Sequence, residues 1–144
     1  MIYTEQTKKA LALCFEAHKD QKDKSGLPYV FHPFHLAEQM TDEDTVTAAL
    51  LHDVAEDTDV TFDDMRKMGF HEPVIEALRL LTHDDGTPYM DYVARIKPNP
   101  IARAVKLADL AHNSDMTRFT PEEITQRDID RAEKYAQAID FLKS

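Results

Sequence analysis

The sequence predicts an all-α fold, on three observations. Apolar residues recur every three or four positions along most of the chain, most of these runs open on a capping residue or a proline, and no stretch alternates convincingly as a strand would. With 144 residues, the chain has the length of one domain, read as a single helical bundle over positions 1–144 without linkers, low-complexity tracts or a solenoid period.

The elements follow in order. Thr4 caps a helix whose stripe is Ala10, Leu13, Cys14 and Ala17. Pro33 suits the first turn of a short helix carrying Leu36, Ala37 and Met40. Thr41 or Asp42 caps a helix from about Glu43 to Glu56, Thr61 with Asp64 forms a capping box for the next, and Gly69 stops it. Pro73 opens a segment with Val74, Ala77, Leu78 and Leu81, and Thr87-Pro88 opens one with Tyr89, Val93 and Ile96. Asn99-Pro100 opens one with Ile101, Ala104, Val105 and Ala108. Thr120-Pro121-Glu122-Glu123 opens the last helix, with Ile129, Ala132, Ala136 and Ile139 inward.

Composition excludes several classes of function. Seventeen Lys+Arg against 27 Asp+Glu give a formal charge of −10, which argues against a nucleic-acid partner, whose phosphates a protein must neutralise. No apolar run approaches the roughly 20 residues that span a bilayer, so no membrane partner is expected. The N-terminal stretch lacks a basic start with an apolar signal core, and Cys14 is the sole cysteine; a cytoplasmic location is the expectation. Cys14 reads as a small core residue. Homo-oligomerisation is left open.

The stretch LLHDVAEDTD, Leu50 to Asp59, puts a histidine and four carboxylates where a core helix should run. On a continuous helix with Val46 at zero, Asp53 falls at about 340° and Asp57 at about 20°, inside the apolar arc, with Glu56 at about 280° above His52. Buried carboxylates without partners cost several kcal/mol each. The pattern therefore implies a cation there, unless the helix ends early and the acids are solvated, or an arginine pairs with them. His32, in YVFHPFHLA, and Asp109, in VKLADLAHNS, complete a metal set of His32, His52, Asp53 and Asp109. Two imidazoles with two carboxylates suit Mn²⁺, Fe²⁺ or Zn²⁺ better than Ca²⁺.

Four pieces carry a resemblance: Ala17-His18 with Gln21, GLPYVFHP at positions 26–33, LLHDVAEDT at 50–58 and VKLADLAHN at 105–113. Together they frame nearly all of the chain. They resemble the HD-domain phosphohydrolases, and among them the hydrolase module of the RelA/SpoT alarmone enzymes and their small stand-alone relatives. The resemblance implies an all-α domain that binds Mn²⁺ and removes the 3′ pyrophosphate from ppGpp, a small-molecule nucleotide substrate. It assigns the metal to His32, His52, Asp53 and Asp109, the activation of water to Glu56 and Asp57, and substrate contacts to Lys24 and Asn113. Lys22, Lys24 and Lys106 are the cations available to hold a polyanion on an acidic protein, and Tyr29 either lines the nucleotide site or packs in the core.

Two positions depart from the pattern. Asp23 stands where the alarmone enzymes commonly carry an arginine against the base, which implies weaker or less selective guanosine binding. His83 stands where relatives often carry lysine or arginine. Three readings of function follow: an alarmone hydrolase, a nucleotidase or pyrophosphatase on another nucleotide, or a sensor that binds nucleotide without turnover. His18 and His112 read as supports of the site or core histidines, His35 as a surface or packing residue, and His71 as exposed.

Overall fold

Residues 45–51 read Thr-Val-Thr-Ala-Ala-Leu-Leu, with no charge on any face, and a helix that is apolar all round has to be enclosed. In the structure, a computed structural model describing residues 1–144, this segment is the centre of the molecule. Helix α3 (Glu43–Leu51) is buried at every position from Thr45 onward and packs against α1 (Glu5–His18), α2 (Phe31–Glu38), α6 (Glu72–Leu81) and α8 (Pro100–Asn113). Helix α4 (Val54–Asp57) lies against α1, α5 (Phe62–Lys67) against α6, and α7 (Tyr89–Ile96) and α9 (Gln126–Lys143) cover the far side of α8. One apolar cluster runs through the bundle from Ala10 to Leu142 and includes Cys14. No sheet forms; Lys22 and Pro28 make an isolated bridge. No helix is long and apolar enough to cross a membrane.

The capping residues read from the sequence act as caps. Thr4 accepts from Thr7, Asp42 from Thr45, Thr61 from Asp64 and Asn99 from Ala102, each bond occupying an amide that the first turn leaves free. Gly69 follows α5 with φ +91, a left-handed conformation that any side chain would strain.

Three expectations are corrected. The helix from Glu43 does not run to Glu56: α3 ends at Leu51, Asp53 takes φ −103 and ψ −6, and the chain restarts as α4 at Val54. His52 Nδ1 bonds the Ala49 carbonyl at 2.6 Å, a local tie at this break. The last helix does not open at Thr120, which makes no side-chain cap and leads only into the 3₁₀ turn Pro121–Glu123. Thr125 forms a reciprocal box with Asp128, and the helix starts after it. Its buried residues are Ala138 and Leu142, and Ile129 stays 43% exposed; another face of the first half of α9, with Asp128, Arg131 and Tyr135, borders a cavity. On α8 the enclosed residues are Ala102, Val105, Asp109 and Leu110. Ile101, Ala104 and Ala108 are half-buried and border a side groove.

Candidate metal centre and its flanking cavities

Three elements converge on one buried point. His32 comes from the first turn of α2, His52 from the break after α3 and Asp109 from the enclosed face of α8, and a ligand atom from each lies within 4.8 Å of the others. Asp109 Oδ1 is 2.9 Å from His32 Nε2 and 3.7 Å from His52 Nε2. Asp53, the fourth expected ligand, stands beside this set: its Oδ2 is 3.0 Å from His52 Nε2, and its carboxylate accepts the hydroxyl of Tyr29. Tyr29 thus meets Asp53 as well as the cavity, with its ring 5.0 Å from that of His18.

The donor set fits a divalent cation. A carbonyl oxygen only accepts, so His52 Nδ1 carries the proton it gives to Ala49, and in the neutral ring Nε2 holds the lone pair. That Nε2 is buried and has no hydrogen-bond partner, although it faces two carboxylates. With the ring neutral, Nε2 would present to a metal the lone pair that a ligand needs. His32 Nδ1 lies 2.7 Å from His112 Nδ1. Burial, and then His32, pull His112 down to about 4, so a neutral His112 can accept the Nδ1–H of His32 and leave His32 Nε2 toward the cluster. Its ring stacks on His32, with His35 alongside.

Without a cation the cluster compensates internally. Burial disfavours a charged His52, yet Asp53 and Asp109 outweigh it and hold its pKa well above the ordinary imidazole value. Burial likewise disfavours ionised Asp109, and Lys106, His32 and His52 hold it well below the carboxylate range. Asp53 is drawn down to about 2, the penalty of burial being exceeded by His52. Lys106 Nζ sits 2.9 Å from Asp109 Oδ2 and over the Tyr92 ring, so it acts on the carboxylate in this state.

Two cavities open from the cluster. The smaller, about 120 Å³, is lined by His52, Asp53, Glu56, His83, Lys106 and Asp109 among others. Glu56 is exposed to it and accepts the His83 backbone N–H at 2.9 Å. Burial and Asp53 raise its pKa above the ordinary glutamate value, against the pull of that N–H and of Lys106. Asp57 is exposed, raised by partial burial and by Asp53, and lies outside both cavities. The open alternatives at LLHDVAEDTD thus divide: the helix does end early and leaves Glu56 and Asp57 accessible, but Asp53 is enclosed and no arginine reaches it.

The larger cavity, about 460 Å³, has Tyr29 and His32 on one side and Lys22, Lys24, Asn113 and Arg118 around it. Asn113 donates to Asp109 Oδ1 at 3.0 Å while reaching this space. Lys24 is exposed there. His18 bonds Gln21 at 3.1 Å, and so steadies the 21–29 loop, not a ligand. His71, exposed as expected, bonds Asp44 in the first turn of α3.

Sequence reasoning missed Arg118, whose guanidinium bonds Asp23 at 3.3 Å. The two are separated by 95 positions, and no periodicity links them. The expectation of a missing cation at Asp23 is therefore corrected: a guanidinium occupies that wall from another element. The His83 amide was also missed, because a backbone donor leaves no trace in residue type.

Helices that bring His32, His52 and Asp109 to one enclosed point between two polar cavities define a helical fold with a candidate His/Asp metal centre. Residues 10–83 match the family model for the HD domain, and the chain belongs to that family. It is 36% identical over 121 residues to the guanosine-3′,5′-bis(diphosphate) 3′-pyrophosphohydrolase MESH1 of Danio rerio, covering 74% of this chain and 67% of that one. Human MESH1 is 37% identical, covering 73% and 66%. The guanosine-3′,5′-bis(diphosphate) 3′-pyrophosphohydrolase of Aquifex aeolicus is 31% identical, over 77% of this chain but only 18% of its own length. The solved structure of a metazoan ortholog of SpoT, reported to hydrolyze ppGpp and to play a role in starvation responses, superposes with a TM-score of 0.80 at 28% identity, covering 100% of this chain and 89% of that one.

Proposed function

We propose that the protein is a metal-dependent phosphohydrolase that removes the 3′ pyrophosphate from ppGpp, giving GDP and pyrophosphate. The observation that carries this is the buried His52 Nε2 with no bonding partner, set between Asp53 and Asp109 and opening on a cavity that holds Glu56. The named relatives support the substrate, since the animal and bacterial hydrolases above act on guanosine bis(diphosphate).

His32, His52, Asp53 and Asp109 would hold the cation, with Mn²⁺ suited to two imidazoles and two carboxylates. When bound, such an ion lowers the pKa of water toward 7 and offsets phosphate charge. Glu56 accepts the proton of the attacking water, its raised pKa matching that task. The His83 amide fixes the glutamate's direction. Asp57, accessible one residue away, orients the same water. Lys106 exchanges its bond with Asp109 for the pyrophosphate, and Lys24, Tyr29 and Asn113 receive the nucleoside side in the larger cavity. A cytoplasmic location goes with a nucleotide substrate.

Incubating the purified protein with Mn²⁺ and a panel of ppGpp, pppGpp and common nucleotides, followed by anion-exchange separation of products, tests this. GDP and pyrophosphate from ppGpp, at the highest rate in the panel, is the expected result. Faster turnover of another nucleotide makes the protein a nucleotidase or pyrophosphatase, and binding without product makes it a sensor.

A further inference from the structure

Asp23 does more than replace a cation. Its Oδ1 accepts from Ser25 N, Ser25 Oγ and Leu27 N at 2.9, 2.6 and 3.0 Å, so the carboxylate is fixed by the loop that also carries Lys24 and Tyr29. Gly26, at φ +87, allows that loop to close. The remaining oxygen, Oδ2, takes Nη1 of Arg118. Arg118 ends the 3₁₀ turn Met116–Arg118, which Asp115 caps directly after α8. Both side chains are largely enclosed, at 17% and 13% exposure. The guanidinium stands 5.7 Å from the Phe119 ring in the wall of the larger cavity. Its Nε is buried without a partner, and Nη1 alone bonds within the protein, which leaves the Nη2 end and the planar face for a ligand.

The chemistry of this pair selects among the parts of a nucleotide. Asp23 offsets the charge of Arg118, so the pair attracts a phosphate far less than Lys22 and Lys24, which are exposed at the same cavity. A held guanidinium still offers N–H donors in one plane and a face that stacks on aromatic rings. That matches a neutral base with acceptors on one edge. Guanine presents O6 and N7 to such a fork, whereas adenine presents an amino donor beside N7. We infer that Arg118, oriented by Asp23, is the residue that meets the nucleobase and sets the preference for guanine, an inference that rests on the nucleotide-hydrolase reading above. The two positions act as one charge pair, so reading Asp23 alone as a lost contact gives the wrong sign for its substitution.

The test measures KM and kcat of the Mn²⁺-loaded protein for ppGpp and for the adenosine analogue ppApp, in wild type, Arg118→Gln, Arg118→Lys and Asp23→Arg, with thermal melts alongside. Arg118→Gln is expected to raise KM for ppGpp by roughly tenfold, with kcat within about twofold, and to erode the preference over ppApp, since an amide matches adenine's N6 and N7. Arg118→Lys keeps the charge opposite Asp23 and should melt like wild type, yet loses the planar fork and with it most of the discrimination. Asp23→Arg removes the acceptor of Ser25, Leu27 and Arg118 and should raise KM for ppGpp. An unchanged preference in a folded Arg118→Lys, or a lower KM in Asp23→Arg, overturns the inference while leaving the hydrolase reading in place. A wild type that turns over neither nucleotide overturns both.

Discussion

Glu56 is the residue on which turnover depends in this account. Burial and the neighbouring Asp53 push its pKa above the ordinary glutamate value of 4.5, and it must be ionised to take a proton. Raising the pKa moves the pH at which it ionises upward, so kcat should fall on the acid side at a pH above that of an ordinary glutamate, with a plateau above it. Glu56→Gln should retain metal and nucleotide but lose at least about a hundredfold in kcat, the usual scale of a general base; unchanged turnover would remove it from the mechanism. His52→Ala and Asp109→Ala act earlier, on the cation: elemental analysis should find about one divalent transition metal per wild-type chain and little in either variant. Full occupancy in both would place the metal elsewhere. These residues were singled out from the HD and ExD strings and from His32 and Asp109 in their own helical contexts, although the continuous helix assumed for the first of these breaks after Leu51. Arg118 was not, since an ion pair across 95 positions depends on where a loop and a turn meet.

At the scale of elements, the caps were readable and the breaks were not. Thr4, Asp42, Thr61 and Asn99 each hold the amide their sequence context promised. The break at His52–Asp53 escaped a periodicity argument because the apolar spacing continues through Val54, and only the tertiary setting favours a turn there. Two cap signals in tandem, Thr120-Pro121 and Thr125 with Asp128, left the start of α9 to be decided by bonding: Thr125 makes a reciprocal box and Thr120 makes none. Helix α8 carries Asp109, Lys106 and Asn113, and its first turn depends on the 2.9 Å bond from the Ala102 amide to Asn99. Asn99→Ala should therefore destabilise the fold by about 1 kcal/mol. Because that turn lies more than one helical turn from Asp109, kcat/KM should stay near wild type. Equilibrium urea unfolding checks the first expectation and steady-state kinetics the second; a large loss of kcat/KM at full folding would mean that the cap positions the site as well as the helix.

Across the whole molecule, a formal charge of −10 faces a substrate that is itself a polyanion. The fold answers this locally: the lysines Lys22, Lys24 and Lys106 all border the cavities beside the cluster, and a cation held at the proposed site would add to them. That distribution followed from the sequence only in part, since charge totals say nothing about where charges gather. The all-α class did follow, from periodicity and caps alone, and family membership fits it. The central claim is that His32, His52, Asp53 and Asp109 hold the ion that makes hydrolysis possible. Its most direct test is to strip the protein of metal and titrate Mn²⁺ back while following pyrophosphate release from ppGpp. The rate should rise from near zero and level off at about one Mn²⁺ per chain in the wild type, and stay near zero throughout in Asp109→Ala. Full turnover by the metal-free protein, or an Asp109→Ala variant restored by the same stoichiometric Mn²⁺, would contradict it.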